Sequence, residues 1–107
     1  MTAHWLLAYV IVGLTMFAIG TFGFLLRRNL IVLFMCIELM LNGVNIVLVA
    51  FARFHGHVDG QVVASLIMVL AAAEAAVGLA LLVLIFRSLQ TMDVEQLTRL
   101  GEIPWEE

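Results

Sequence analysis

Charge is scarce in this sequence. Of the 107 residues, 12% are charged and 64% are apolar, a balance that is typical of membrane proteins and excludes a soluble globular domain. The formal net charge of −3 arises largely from acidic residues between positions 93 and 107, so it says little about the apolar part. No basic patch is present, which excludes a nucleic-acid-binding protein.

Cysteine and the residue combinations that catalysis needs are also scarce. Cys36 is the single cysteine, so the sequence has no disulfide framework and no thiol cluster for a metal. His55 and His57 fall short of the three or four ligands of a zinc site. No nucleophile with a base, phosphate loop or pair of haem ligands is found. We therefore predict no catalytic residue, metal site or bound cofactor in this chain alone.

Three long apolar segments occupy most of the chain. Residues 5–26, 30–52 and 61–86 each hold roughly the 20 apolar residues that a transmembrane helix needs. The first segment lacks the basic n-region of a signal peptide, so we interpret it as a retained helix. The sequence predicts an all-α integral membrane protein with three transmembrane helices, a single membrane domain over residues 1–107 and a polar tail at 87–107.

The arginines predict how these helices are oriented. Arg27 and Arg28 lie on the same side as Arg87 and Arg99, whereas the opposite side has Arg53. Because positive loops stay in the cytoplasm, we expect the amino terminus outside and the carboxyl terminus inside.

Small and aromatic residues mark the first helix. Trp5 and Tyr9 lie near one end, where amphipathic rings favour the headgroup layer. Gly13 and Gly20 are seven residues apart and therefore on one side of the helix, which predicts close approach of a neighbouring backbone there.

The tail holds a pattern that favours a short helix. Asp93 followed by Gln96 resembles a capping box, and an apolar stripe follows at Val94, Leu97 and Leu100. We consider two interpretations, a short helix that lies on a partner and a frayed acidic terminus.

Two glutamates lie deep inside the apolar segments. Glu38 and Glu74 are about 12 and 18 Å from the cytoplasmic ends of the predicted helices at 1.5 Å per residue, too deep to reach the headgroups. Ionised, each costs about 2.5 to 3.5 kcal/mol. Neutralising a carboxylate at pH 7 costs about 3.7 kcal/mol. Because the two costs are comparable, movement of a charged neighbour can switch the charge state.

The glutamates have different surroundings. Asn42 and Asn45 follow Glu38 on one helix face and form a polar stripe with it, which should face protein or water. Glu74 lies among small residues where another helix can approach, namely Ala71, Ala75 and Gly78. The expected depth difference of about 6 Å between the carboxylates predicts a hydrated link between them.

A structural role for the glutamates is the competing interpretation. A protonated glutamate can join helices by a hydrogen bond worth about 0.6 to 2 kcal/mol. Two such residues in adjacent helices favour a proton route instead, since ionisable groups inside membranes usually mark ion or proton paths. Arg27 and Arg28 are explained as well by orientation as by function.

Four segments together resemble one family. They are RRNL at 27–30, IELMLN at 37–42, DGQV at 59–62 and AAAEAAVGLALL at 71–82. Over residues 13–86 the sequence resembles the K subunit of proton-translocating NADH:quinone oxidoreductase, respiratory complex I, called 4L in mitochondria. The ending GEIPWEE has no counterpart in that resemblance.

The resemblance implies a role for each candidate residue. Glu38 and Glu74 correspond to the family's two membrane glutamates, and Arg27 and Arg28 to its loop arginines. Implied partners are the A, J and N subunits, with Glu38 near the J subunit and Glu74 leading toward N. NADH and quinone are met through the complex only, and the flavin and iron–sulfur clusters lie in partner subunits. A bacterial plasma membrane is the expected location.

Three alternatives remain open at this point. The first is the homologous small subunit of a multi-subunit cation/proton antiporter, which performs no redox-linked work. The second is a small drug exporter, although those have four spans and an acidic residue in the first, which this sequence lacks. The third is a structural bundle whose glutamates stay protonated.

Overall fold

The computed structural model describes residues 3–90 and 92–102, with the backbone alone for 100–102. Four helices follow in chain order: α1 at Ala3–Leu26, α2 at Leu30–His55, α3 at Asp59–Leu89 and α4 at Val94–Glu102. The first three are long and apolar enough to cross a membrane, which confirms the predicted fold class. Residues 103–107, with most of the GEIPWEE ending, lie outside the described residues.

The α2–α3 turn is shorter than the sequence suggests. Helix α2 continues through Arg53 to His55 and ends where Gly56 adopts a left-handed conformation (φ 74°). That conformation lets the Gly56 and His57 amides donate to the carbonyls of Arg53 and Ala52 at 3.1 and 3.0 Å, a typical helix end. The predicted polar loop therefore contributes residues to both flanking helices, 53–55 to α2 and 59–60 to α3.

Glycines bring α1 and α2 into close contact. A Cβ added at Gly13 would lie 2.7 Å from the Gly43 carbonyl oxygen, and one at Gly20 would lie 2.7 Å from the Cys36 carbonyl oxygen. Side chains at these positions would force the backbones apart. The prediction that Gly13 and Gly20 form a close-contact face is confirmed, and Gly43 is its counterpart on α2.

Helix α2 also packs against α3 and is the middle element of the bundle. The Phe34 ring lies against Gly78, and Ala52 lies against Gly60. Phe34 and Ala52 are eighteen residues apart on α2, and Gly60 and Gly78 are eighteen residues apart on α3. The antiparallel register of the two helices is therefore the same at both contacts. Few large side chains are buried, and most of the apolar surface of the three helices faces outward, toward lipid or other proteins.

The α1–α2 loop is joined to the segment before α4. Leu30 donates its amide to the Met92 carbonyl at 2.9 Å, and Val94 donates to the Arg28 carbonyl at 2.8 Å. Arg28 also forms an ion pair with Glu95 at 3.0 Å, but the side chains are 69% and 52% exposed, so it contributes at most about 1 kcal/mol.

Side-chain caps begin both helices at this junction. The Asn29 side-chain oxygen accepts from the amides of Ile31 and Val32. The Asp93 carboxylate accepts from the amides of Glu95 and Gln96 at 2.8 and 3.2 Å. The short tail helix is therefore present in the described residues, and the frayed-terminus interpretation is wrong for residues 94–102 because Asp93 satisfies the first amides of α4.

We expect Gly43→Leu to lower the stability of the bundle by about 1–3 kcal/mol, since even a Cβ there would lie 2.5 Å from the Gly13 carbonyl oxygen. The matched control is Val44→Leu, at an outward-facing neighbour. The measurement is the fraction of tagged chain that remains soluble in mild detergent after native membranes are heated through a temperature series. Equal heat resistance of the two variants would contradict close packing at Gly43.

Candidate functional site

Glu38 lies on the side of α2 that points away from the α1 contact. The side chain is half-buried, and Asn42 and Asn45 follow on the same face, the former exposed and the latter buried. The predicted polar stripe is therefore a continuous feature of α2. With about 100° per residue, Glu38 points about 40° from the direction of α3, which Phe34 and Ala52 define.

A groove between α1 and α2 opens beside this stripe. It has a volume of about 840 Å³ and is lined by Trp5, Tyr9, Met16, Asn42, Asn45, Ile46, Val49, Ala50 and Arg53. Asn45 is 8% exposed, and its side-chain oxygen accepts no hydrogen bond from the described residues. The sequence pointed to Asn42 and Asn45 but did not reveal that Arg53, Trp5 and Tyr9 share a groove with them, because that depends on how α1 lies against α2.

Glu74 is exposed on α3. The small residues near it, Ala71, Ala75 and Gly78, are half-buried and turn toward α2. Glu74 points about 60° to one side of that strip. The helix that uses the strip is thus α2 of the same chain, and the Glu74 carboxylate is left beside it, facing out of the bundle.

The two carboxylates lie at the same height along the helix pair. Phe34 on α2 is level with Gly78 on α3. Glu38 comes four residues after Phe34, and Glu74 comes four residues before Gly78. Because the helices are antiparallel, both steps lead in the same direction through the membrane. The expected depth difference of about 6 Å is therefore wrong. The expected difference was counted from the ends of the predicted helices, as if these ends were level. In the structure α3 continues to Leu89, which lies beyond the level at which α2 begins.

Glu38 and Glu74 nevertheless point to opposite sides of the plane through α2 and α3. To compare the two, each helix is viewed from its own amino terminus, and the rotation of a residue is measured from the line on which the helices touch. In an antiparallel pair, two residues lie on the same side of the plane when their rotations have the same sign, and on opposite sides when the signs differ. Glu38 is rotated by about +40° from its contact line and Glu74 by about −60° from its own. The chain thus presents one carboxylate on each side of the layer at a single membrane depth.

Arg27 and Arg28 lie outside the helices. Both are exposed in the segment between α1 and α2, and Arg28 contacts Glu95. Glu38 is ten residues after Arg28 and lies eight residues, about 12 Å, beyond the start of α2, so the structure does not bring these arginines to the glutamates. The described residues include no group of three or more His, Cys, Asp or Glu side chains placed to hold a metal ion.

Comparison with known proteins gives a consistent family. The family model described as NADH-ubiquinone/plastoquinone oxidoreductase chain 4L matches residues 8–102. The chain is similar to NADH-quinone oxidoreductase subunit K 1 of Geotalea daltonii, at 51% identity over 81% of this chain and 87% of the relative. It is also similar to subunit K 2 of Geotalea uraniireducens, at 49% identity over 81% and 87%, and to subunit K 1 of Geobacter sulfurreducens, at 50% over 82% and 88%.

The register between α2 and α3 can be tested by cross-linking. In a Cys36→Ala background, we expect the pair Phe34→Cys and Gly78→Cys to be joined by a short thiol-to-thiol cross-linker. The matched control pairs Phe34→Cys with Leu82→Cys, which also faces the bundle but lies four residues, about 6 Å, further along α3 than Gly78. Trypsin cleaves after Arg53 in the last turn of α2, which separates position 34 from positions 78 and 82, so linked peptides are identified by mass spectrometry. Preferential linking of the control pair would contradict the equal heights of Glu38 and Glu74.

Proposed function

Because this chain belongs to the chain 4L family of NADH-ubiquinone/plastoquinone oxidoreductase, we propose that Glu38 and Glu74 carry protons in the membrane arm of complex I. Membership makes the chain a multi-pass membrane subunit of NADH-quinone oxidoreductase, with the other subunits of the complex as its partners. The proton-carrying role of the two glutamates goes beyond membership and is argued from their placement.

The observation that carries the proposal is the placement of the two carboxylates. They lie at one depth on opposite sides of the α2–α3 layer, so each is available to a different neighbour. A subunit with this geometry can receive a proton on one side and deliver it on the other. In line with the resemblance, Glu38 would face the J-type subunit, with the A-type subunit nearby, and Glu74 would lead toward the N-type subunit.

The energies permit switching by a partner. The ionised and neutral forms of a carboxyl group at this depth differ by only about 1 kcal/mol, given costs of about 3 and 3.7 kcal/mol. A unit positive charge that moves to about 4 Å from a carboxylate changes its energy by about 4 kcal/mol at an effective dielectric constant of 20. Movement of a charged side chain in a neighbouring subunit is therefore sufficient to load or unload either glutamate.

A direct hop between the glutamates does not fit this arrangement. Their side chains diverge to opposite sides of α2 and α3, so a proton needs water or partner side chains to pass between them. The hydrated link is retained in this proposal, although its reason is the opposite direction of the side chains and not a difference in depth.

Other parts of the proposal concern the whole subunit. The chain binds no flavin or iron–sulfur cluster and performs no redox chemistry alone. Its amino terminus lies outside and its carboxyl terminus inside, in the plasma membrane of a bacterium. Supporting roles fall to Asn42 and Asn45 beside Glu38 and to Arg27 and Arg28 at the cytoplasmic junction. Identity near 50% with proteins named subunit K favours this assignment over an antiporter subunit.

We expect Glu38→Gln and Glu74→Gln each to keep the complex assembled but to lower NADH-driven proton pumping and quinone reduction together, by about tenfold or more, because glutamine keeps the shape but cannot carry the proton. Both rates are measured in sealed membrane vesicles, and assembly is checked by native electrophoresis.

The control is Asp59→Asn, which removes a carboxylate at the exposed start of α3 and should leave both rates unchanged. Normal pumping in the double Glu38→Gln, Glu74→Gln variant would favour permanently protonated structural glutamates and would overturn the proposal.

A further inference from the structure

The groove between α1 and α2 contains a buried polar atom that the proton-path assignment does not use. Asn45 is more than nine-tenths buried and its side-chain oxygen has no donor among the described residues. Buried acceptors of this kind almost always receive a hydrogen bond from protein or from water. The site can hold water because it is roomy and because Asn42 and Asn45 offer amide donors and acceptors.

The groove runs in a definite direction. Arg53 lies at its end near the α2–α3 loop, and Asn42 and Met16 lie at its deepest part. Eleven residues of α2 separate Arg53 from Asn42, about 16 Å along the axis. Glu38 lies one further turn below Asn42 on the same face, a gap of about 6 Å, which is short enough for one or two water molecules to span. The groove therefore points at Glu38 from the loop side.

The opposite side of the same helix pair gives an internal comparison. A second groove between α1 and α2, of about 410 Å³, is lined by Gly13, Leu14, Phe17, Gly43, Val44, Val47, Leu48 and Phe51. These side chains offer water no hydrogen bond, so this groove is suited to lipid or apolar protein. Of these two grooves between α1 and α2, only the one on the side that carries Glu38 is lined by polar side chains.

We propose that the Asn45 groove holds a file of water that connects the α2–α3 loop side of the membrane to Glu38. Under the predicted orientation this is the outside. The significance of this inference rests on the proposed function. If Glu38 carries protons, the water file connects Glu38, and not Glu74, to that side of the membrane. The Arg53 guanidinium at the mouth has no carboxylate partner among the described residues, and its positive charge repels metal cations from the water file.

Thiol labelling in the assembled complex tests this inference. In a Cys36→Ala background, single cysteines are introduced as Asn42→Cys and Ile46→Cys in the groove and as Val44→Cys on the opposite side. Ile46→Cys leaves both asparagines in place, so the test survives if Asn42→Cys does not assemble. His57→Cys, exposed in the loop, marks the loop side. Sealed vesicles of both orientations are treated with membrane-impermeant methanethiosulfonates, one anionic and one cationic.

We expect the groove cysteines to react from the same side as His57→Cys and about tenfold or more faster than Val44→Cys, since a thiol reacts as a hydrated thiolate. The anionic reagent should react faster than the cationic one, and Arg53→Gln should remove that preference. Reaction no faster than at Val44→Cys, or reaction from the opposite side only, would overturn the proposal. Labelling needs neither NADH oxidation nor pumping, so its outcome is independent of the glutamate variants.

Discussion

The close packing of α2 between two neighbours is the constraint on which the other features depend. Gly13 and Gly43 let the α1 and α2 backbones touch, and Gly78 accommodates the Phe34 ring on the other flank. These contacts fix the rotation and the height of α2. A side chain at Gly13 or Gly43 would meet the backbone of the facing helix, and one at Gly78 would have to displace the Phe34 ring. The polar face of α2 is consequently the face that neither neighbour covers fully, and Glu38, Asn42 and Asn45 lie there.

The rotation of α2 distributes the polar groups unequally between the two sides of the otherwise apolar layer that α2 and α3 form. Glu38 and the asparagine stripe lie on one side with the larger groove, whereas Glu74 lies alone on the other side at the same depth. In a low-dielectric medium a small displacement of a neighbouring charge has a large effect on the energy of a carboxylate. The layer therefore carries one carboxyl group on each side, which is the arrangement that the proposed function requires, and it exposes so much apolar surface because the other subunits and lipid complete it.

Hydrophobic length and composition were sufficient to predict the three membrane helices, and the spacing of Gly13 and Gly20 was sufficient to predict their contact face. The polar stripe on α2 also followed from helical spacing. The relative height of Glu38 and Glu74 did not follow from helical spacing. It depends on the end of α3 at Leu89 and on the register between α2 and α3. That register is set by the contact of Phe34 with Gly78, a pair that no local pattern identifies. The joining of Arg28 and Glu95 across the junction, and the grouping of Arg53 with Trp5 and Tyr9, likewise depend on tertiary packing.

The central claim is that both glutamates change protonation state during turnover. Redox-induced infrared difference spectroscopy of the purified complex measures it most directly, through the carbonyl stretch of protonated carboxyl groups. The account predicts a carboxyl difference signal that loses a separate component in Glu38→Gln and in Glu74→Gln and is unchanged in Asp59→Asn. A difference spectrum in both glutamine variants that is identical to that of the unmodified complex would contradict the account, since it would mean that neither carboxyl group exchanges a proton when electrons flow.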